Sequence, residues 1–300
     1  MSGFSAIDLS RLPAPDVVEQ LDFEDLLQRI KADFSERTPK LAAVLDLESE
    51  PLVKLIESAA YTALHLRQRV NDAARSVMLA YALGTDLDNL AALFGVERLL
   101  IDEGDADANP PIPATYEDDE RLRRRIQLSL EGHTTAGPVG SYLFWGLSAD
   151  SKARDIGVAS PEPGQVLITV LSTEGDGKPD QALLDAVSAT LNHEDVRPLT
   201  DQVQVQAAEV IDYTLRADLT FYAGPDSAVV LQAAEQAVRD YINEHHRLGH
   251  DITRSGLYAA LHQAGVQNVV INSPAEDIEV APHQAAHCNA LHINAGGIDQ

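Results

Sequence analysis

Basic residues, cysteine, aromatic rings and long apolar runs are all scarce in this sequence of 300 residues. Lysine and arginine number 22 against 47 acidic residues, which gives a net charge of −25. Because so acidic a chain repels phosphate, we expect no nucleic-acid binding. Cys288 is the only cysteine, so no intrachain disulfide can form, and every apolar run is far too short for membrane insertion. The N-terminus lacks a secretory pattern, which predicts folding in a reducing cytoplasm.

Motifs that carry catalysis are missing as well. The sequence has no glycine-rich nucleotide loop, no nucleophile elbow and no H-E-x-x-H pair, so we expect no enzyme and no cofactor. The alternative is a metal-dependent enzyme or binding module that uses four late ligand-type residues. These are His283, His287, Cys288 and His292. Pro282 and the alternation around Leu291 predict a loop followed by a strand, on which these side chains diverge, so we expect no metal site.

The composition predicts a folded protein with more than one domain. Hydrophobic residues make up 45% and charged residues 23% of the chain, enough apolar material for a core. Residues 101–120 carry eight acidic and no basic side chains, and they include Pro110, Pro111 and Pro113. Such a segment is typical of an extended linker or an exposed loop. We therefore predict a helical region at 1–100, an acidic, proline-containing linker with connecting helices at 101–150, and two α+β domains at 151–207 and 208–300.

Three helices are expected before the acidic segment. Asp22 caps the first, which ends at Thr38 before Pro39. The second runs from Glu50 to a terminator at Gly84, about 34 residues and about 50 Å long. A short third helix begins with a capping box at Thr85 and closes at Gly95.

A row of apolar residues, here called the heptad seam, follows the long helix with alternating spacings of four and three. Its members are Leu52, Ile56, Ala59, Ala63, Leu66, Val70, Ala73, Val77 and Ala80. This is the a/d pattern of helices that pack along a shared interface. Burying its five larger side chains would contribute roughly 10 kcal/mol in total, against about 0.3–0.5 kcal/mol for a surface ion pair.

Whether the heptad seam packs within its own domain or against another polypeptide is open from spacing alone, since closed bundles show the same pattern. Size and charge favour a partner. The region offers only one other sizeable helix to cover the seam. Residues 50–83 carry four basic and three acidic side chains, so this near-neutral rod is a suitable docking surface for like-charged copies.

Four arginines at 121 and 123–125 suggest a phosphate-binding patch, but helical spacing argues for another interpretation. Glu117, Asp119 and Glu120 each precede an arginine by four residues, which is the favoured order for an i,i+4 ion pair. We expect a solvated, salt-bridged helix face.

The second half of the sequence alternates strands and helices. Hairpin strands flank the turn at residues 161–164, a helix follows at 179–192, and a third strand contains Val203 and Val205. The clearest strand runs from Ile211 to Phe221. Helices at 227–245 and 253–263 and short strands at 266–271, 278–280 and 290–293 complete the pattern. The fold class is therefore α+β and multidomain: an N-terminal helical bundle region with a long heptad helix, then two small α+β domains.

Several segments in order along the chain resemble the baseplate J family of contractile phage tails and R-type pyocins. They are residues 87–96 (LDNLAALFGV), 119–132 (DERLRRRIQLSLEG), 134–138 (TTAGP), 148–150 (SAD), 160–166 (SPEPGQV), 248–253 (LGHDIT) and 285–288 (AAHC). None of these segments is a chemical motif. Their spread over nearly the whole chain carries the resemblance.

The resemblance implies a structural, non-enzymatic wedge subunit of a virion or tail-like particle, assembled in the host cytoplasm. Two copies join one I-type wedge protein through a helical bundle, with the heptad seam as the expected contact. A W-type sheath-initiating wedge protein attaches nearby, and neighbouring wedges close a sixfold ring around the hub. The family also implies that copies pair through the C-terminal domain, residues 208–300, in a ring that widens on triggering.

Overall fold

A computed structural model describes residues 7, 9, 12, 13, 15–134, 137–224 and 226–299. The chain is α+β and multidomain, and it divides into two compact units, one formed within residues 6–97 and the other within residues 98–300. Within the described residues, no helix combines the length and the apolar character that crossing a membrane requires.

The described residues of the first unit form three α-helices joined by short connections. Helix α1 spans Phe23–Arg37, and the Asp22 carboxylate accepts a hydrogen bond from the Asp25 N–H at 2.9 Å, which confirms the predicted cap. A 3₁₀ segment, Pro39–Asp46, leads to helix α2, Pro51–Ser76. Helix α3 spans Gly84–Ala92. The predicted capping box at Thr85 is wrong, because α3 already begins at Gly84 and has no side-chain cap.

Helix α2 is shorter than predicted. It has 26 residues and ends at Ser76, not at residue 83. Beyond it the backbone forms tight turns, in which the Tyr81 N–H donates to the Met78 carbonyl oxygen at 2.9 Å. The Tyr81 hydroxyl donates to the Leu12 carbonyl oxygen at 3.1 Å, and Ala82 is buried. The chain thus leaves the helix axis and makes a long-range contact with Leu12, although no helix-breaking residue is present there.

The acidic segment at the start of the second unit is exposed, as an exposed loop would be, but a short hairpin makes it more ordered than an extended linker. Strands β1, Leu100–Asp102, and β2, Thr115–Tyr116, pair antiparallel. Helix α4, Asp119–Gly132, and helix α5, Val139–Ala149, follow and pack on each other. The aromatic rings of Tyr142 and Phe144 in α5 are buried, because α5 also packs against the central sheet.

The central sheet has the order β3-β4-β5. Strands β3, Ala153–Ala159, and β4, Gln165–Ser172, form the predicted antiparallel hairpin. Helix α6, Gln181–Leu191, then crosses over to β5, Gln202–Ala207, which lies parallel to β4. Apolar side chains of β4 and α6, among them Ile168 and Val187, are buried and form the core of this module.

The C-terminal module is a sheet of order β7-β6-β8 with helices on one face. Its elements are β6, Glu209–Tyr222, α7, Ser227–His245, α8, Arg254–Leu261, β7, Val266–Ser273, and β8, Gln284–Asp299. Alternate residues of β6, such as Leu215 and Leu219, are fully buried, as the predicted alternation requires. The strand predicted at 278–280 is only a single bridge between Ile252 and Ile278, and the one predicted at 290–293 is part of the longer β8.

Candidate partner-binding surface

Helix α2 has one face buried in its own unit. Pro51 opens the helix, where a missing N–H is tolerated. Val53, Ile56 and Ala60 then pack in a buried cluster with Leu27 of α1 and Leu45 of the 3₁₀ segment. These α2 residues repeat at intervals of three and four, so they form a single stripe. This stripe supplies the core of the first unit.

The heptad seam is divided between core and solvent. Ile56 is buried and Leu52 is partly buried, whereas Leu66 is 62% exposed and Val70 is 59% exposed. A strict seven-residue repeat rotates about 20° per heptad around a straight α-helix. The seam therefore begins at the edge of the buried stripe and moves out of it toward the C-terminal end of α2.

The other members of the heptad seam follow this division. Ala59 and Ala73 are exposed, and Ala63 is intermediate in exposure. Val77 is 69% exposed, but it lies just beyond the end of α2, and Ala80 lies in the turns that follow. The structure thus brings only the first members of the seam into the chain's own core.

One exposed apolar residue on the same side of α2 is absent from the predicted heptad seam. Leu55 is 66% exposed, and it lies four residues before Ala59 and eleven before Leu66, so it shares their side of the helix. The heptad register hid it, because it falls between the a and d positions. We call Leu55, Ala59, Leu66, Val70 and Ala73 the exposed α2 row.

Charged groups around the exposed α2 row are mostly paired. Lys54 lies 2.9 Å from Glu57, Arg67 lies 2.9 Å from Glu19, and Arg75 lies 3.9 Å from Asp72. All of these side chains contact solvent, so each pair adds little stability.

Asn71, which the sequence did not single out, fastens the chain before α1 to α2. Its side-chain NH₂ donates to the Glu19 carbonyl oxygen at 2.9 Å, and its Oδ1 accepts from the Glu19 N–H at 3.0 Å. The helix is therefore held on this side, while the exposed α2 row is left uncovered by the described residues of its own unit.

The arginine run of α4 is not the solvated face that its spacing predicted. Arg123 and Arg125 are buried, and so is Glu117, whose carboxylate pairs with Arg125 and lies 3.2 Å from the Nε of Arg121. Arg124 instead pairs with Asp155 of β3 at 2.9 Å. The predicted i,i+4 pair between Glu117 and Arg121 forms, while Arg123 pairs with Glu120 and Asp119 pairs with Arg98. Neighbouring elements cover the helix and supply such further partners.

The late histidines and the cysteine have separate surroundings. His287 lies 2.8 Å from Asp212, and His283 lies 3.5 Å from Glu209. Cys288 packs against the C-terminal core, where burial raises the pKa of its thiol. His292 is opposite Arg216 in the sheet. Among the described residues, no group of three or more histidine, cysteine, aspartate or glutamate side chains is placed to hold a metal ion.

The fold and this surface define a multidomain α+β protein with an apolar row on a long helix that the described part of the chain leaves exposed. Three domain models of one family match the chain in order: the baseplate J-like N-terminal domain at residues 48–105, the central domain at 134–207 and the C-terminal domain at 213–294. The central match begins before the predicted boundary at 151 and includes α5, in agreement with the packing of α5 on β3.

Comparison with individual proteins gives the same result. The chain is 47% identical over 299 residues to baseplate protein J of Escherichia phage P2, a match that covers 98% of this chain and 99% of that protein. It therefore belongs to the baseplate J family. A chain in the sixfold-symmetrised cryo-EM structure of the anti-feeding prophage baseplate is 16% identical, with a TM-score of 0.41, over 61% of this chain and 44% of that one.

Proposed function

We propose that this chain is a structural subunit of the baseplate wedge of a contractile tail or tail-like particle, where it links wedges into a ring around the central hub and supports sheath assembly. Membership of the family makes it a phage-type baseplate component that associates with other baseplate proteins. The proposal includes assembly in the host cytoplasm and a structural role without catalysis.

The exposed α2 row is the observation that carries this proposal. Leu55, Leu66 and Val70 are each more than half exposed in the isolated chain, on a helix whose adjacent face is already packed. Apolar side chains aligned on one face of a helix are covered most effectively by a neighbouring helix. The part of the heptad seam that leaves the chain's own core, from Ala59 to Val77, is therefore proposed as the contact with partner helices, while Leu52 and Ile56 anchor the helix in its own unit.

The proposed occupants of this surface follow from the family resemblance. They are helices of the I-type wedge protein and of a second copy of this chain, joined in one bundle. The W-type sheath-initiating protein and the neighbouring wedges of a sixfold ring complete the proposed set of partners. The domain at residues 208–300 is proposed as the contact between copies. Its edge strand β8 has no lysine, arginine or proline, the residues that commonly block edge pairing.

Substitution of Leu66 by aspartate tests the bundle. We expect Leu66→Asp or Val70→Asp to reduce co-purification with the co-expressed I-type protein at least tenfold, because an unpaired carboxylate would be buried in the seam. The fold should survive, since both side chains are largely exposed in the single chain. A thermal melt of the variant alone checks this.

His65→Asp is the matched control. It places the same carboxylate at an exposed position one residue away and about 100° around the helix from Leu66. Its capture of the I-type protein should be close to that of the unmodified chain. Normal capture of Leu66→Asp and Val70→Asp would show that the bundle assignment is wrong.

A further inference from the structure

The acidic segment between helices α3 and α4 forms a short, exposed β-hairpin. We call residues 100–116 the acidic hairpin. Strands β1 and β2 have only three and two residues, and all of those residues are exposed. A two-stranded hairpin that buries neither face is marginal by itself. Something other than its own packing must therefore hold its shape.

The base of the acidic hairpin is fixed by the buried ion cluster around Glu117. The Leu99 N–H donates to Glu117 Oε1 at 3.0 Å, and the Glu117 N–H donates to the Leu99 carbonyl oxygen at 2.9 Å. The Arg98 guanidinium donates to the Glu117 carbonyl oxygen at 2.7 Å and also lies 2.7 Å from Asp119. The charged side chains of Arg98, Glu117 and Asp119 thus fix the two ends of the acidic hairpin to each other and to the start of α4.

The tip is ordered by local hydrogen bonds. Asp105 and Ile112 exchange two backbone hydrogen bonds of 2.9 and 2.8 Å, and the Asp105 carboxylate accepts the Asp107 N–H at 2.9 Å. Gly104 has a φ of 70°, and a Cβ at this position would lie 2.3 Å from the Ile112 carbonyl oxygen. This close approach requires glycine. The hairpin therefore has a defined shape before any partner binds, which lowers the entropic cost of docking.

The exposed side chains combine apolar and acidic groups. Ile101 and Ile112 are 54% and 56% exposed, and Leu100 stands opposite Tyr116 with both side chains in solvent. Four carboxylates, at positions 102, 103, 105 and 107, surround them, and no lysine or arginine occurs between Arg98 and Arg121. Glu103 and Asp107 have no hydrogen-bond or ion-pair partner for their carboxylates among the described residues.

We propose that the acidic hairpin is a docking arm for a protein surface with an apolar depression rimmed by lysine or arginine. Charge selects this occupant: a nucleic acid or an anionic membrane would be repelled, and a second hairpin of the same chain carries the same negative charge. A partner with a basic rim pairs with the carboxylates, while Ile101 and Ile112 supply the apolar contact. This surface is separate from the exposed α2 row.

Zero-length carbodiimide coupling of assembled baseplates tests the proposal, because the reagent joins carboxylates to lysine amines that are in direct contact. Mass spectrometry should find Glu103 or Asp107 coupled to a lysine of a different polypeptide. Coupling to another copy of this chain, or no intermolecular coupling at these two residues, would overturn the proposal.

Binding of the polypeptide identified by this coupling is then measured with two double variants of the full chain. Glu103→Gln with Asp107→Asn should weaken its binding about fivefold at low salt and leave it nearly unchanged at about 1 M salt, where the screening length is about 3 Å. Ile101→Thr with Ile112→Thr retains β-branched residues and should weaken binding about tenfold at both salt concentrations.

Matched controls lie elsewhere in the same unit. Glu194→Gln with Glu276→Gln makes the same charge change at exposed positions, and Leu199→Thr removes a fully exposed leucine. Controls that weaken binding as much as the hairpin variants would refute a specific arm. If Leu66→Asp blocks assembly while the hairpin variants bind normally, this inference fails and the proposed bundle stands. If the hairpin variants bind weakly while Leu66→Asp assembles normally, this inference stands and the proposed bundle fails.

Discussion

At the scale of single residues, Glu117 connects the segment before β1 to helix α4 through one carboxylate. Its Oε1 accepts the Leu99 N–H and pairs with Arg125, and its Oε2 faces the guanidinium of Arg121. The side chains of Glu117 and Arg125 are almost completely withdrawn from water. Burial also lowers the pKa of Arg121, although the charge of Glu117 acts in the opposite direction. Such a cluster is tolerated only while each charge keeps its partner.

Glu117→Gln should therefore destabilise the second unit by about 3–5 kcal/mol, because it leaves a buried guanidinium without its counter-charge. Urea unfolding followed by the fluorescence of Trp145, the only tryptophan, reports on this unit. Glu174→Gln serves as the control, since it breaks an exposed ion pair with Lys152, and we expect almost no shift from it. Similar midpoints for both variants would contradict a structural role for the buried pair.

At the scale of elements, close packing of α4 on α5 depends on a glycine. Gly132 is buried in the last turn of α4, and a Cβ there would lie 2.3 Å from Cδ1 of the Phe144 ring. The neighbouring Trp145 Nε1–H donates to the Gly132 carbonyl oxygen at 3.1 Å. The missing side chain thus lets the aromatic residues of α5 approach the backbone of α4.

Gly132→Ala has two opposing effects on stability, one from helix propensity and one from packing. Alanine favours the helix by about 1 kcal/mol, whereas overpacking a core costs about 1–3 kcal/mol, so we expect a net loss of about 1 kcal/mol. Equilibrium unfolding of Gly132→Ala, Phe144→Leu and the double variant measures the coupling. The double variant should be more stable than the sum of the single changes predicts, by about 1 kcal/mol. Additive effects would mean that the ring does not limit the space at this position.

At the scale of the whole molecule, polar contacts hold the central module against the C-terminal module. Arg154 of β3 donates to the His246 carbonyl oxygen at 2.8 Å, and the Leu248 N–H donates to Asp155 Oδ2 at 3.1 Å. His246 Nδ1 lies 2.7 Å from the Ala286 carbonyl oxygen and, facing an acceptor, is the donor. Burial lowers the pKa of His246, and likewise that of His250, below the usual value of 6.5.

This shift predicts a loss of stability in acid. A histidine with a lowered folded-state pKa stabilises the protein fully above 6.5, and this contribution is lost as pH falls through 6.5 toward the folded-state value, because the unfolded chain binds the proton more readily. Trp145-monitored unfolding at pH 7.5 and 5.5 should show the decrease. His246→Gln with His250→Gln should reduce this decrease, whereas His193→Gln, at an exposed site, should not. An unchanged pH dependence in the double variant would refute the assignment.

Local sequence signals predicted many of the elements. The Asp22 cap placed the start of α1, the bounds predicted for α7 match its observed span, Ser227–His245, and the alternation along β6 marked which of its residues are buried. These features depend on residues within a few positions of each other, so spacing and residue type are sufficient. The same is true of the apolar repeat on α2 and of the segments that resemble the baseplate J family.

The sequence by itself thus determined where the periodic helices and strands lie and which family the chain resembles. Only the tertiary structure decided which of their surfaces are covered. The chain leaves α2 after Ser76 and bonds to Leu12 through Tyr81, packing on α1 buries Ile56 but leaves Leu66 in solvent, and neighbouring elements bury Glu117. Each outcome depends on residues that are distant in the chain. Periodicity records which side chains share a face, but the neighbour that covers this face is set by long-range packing.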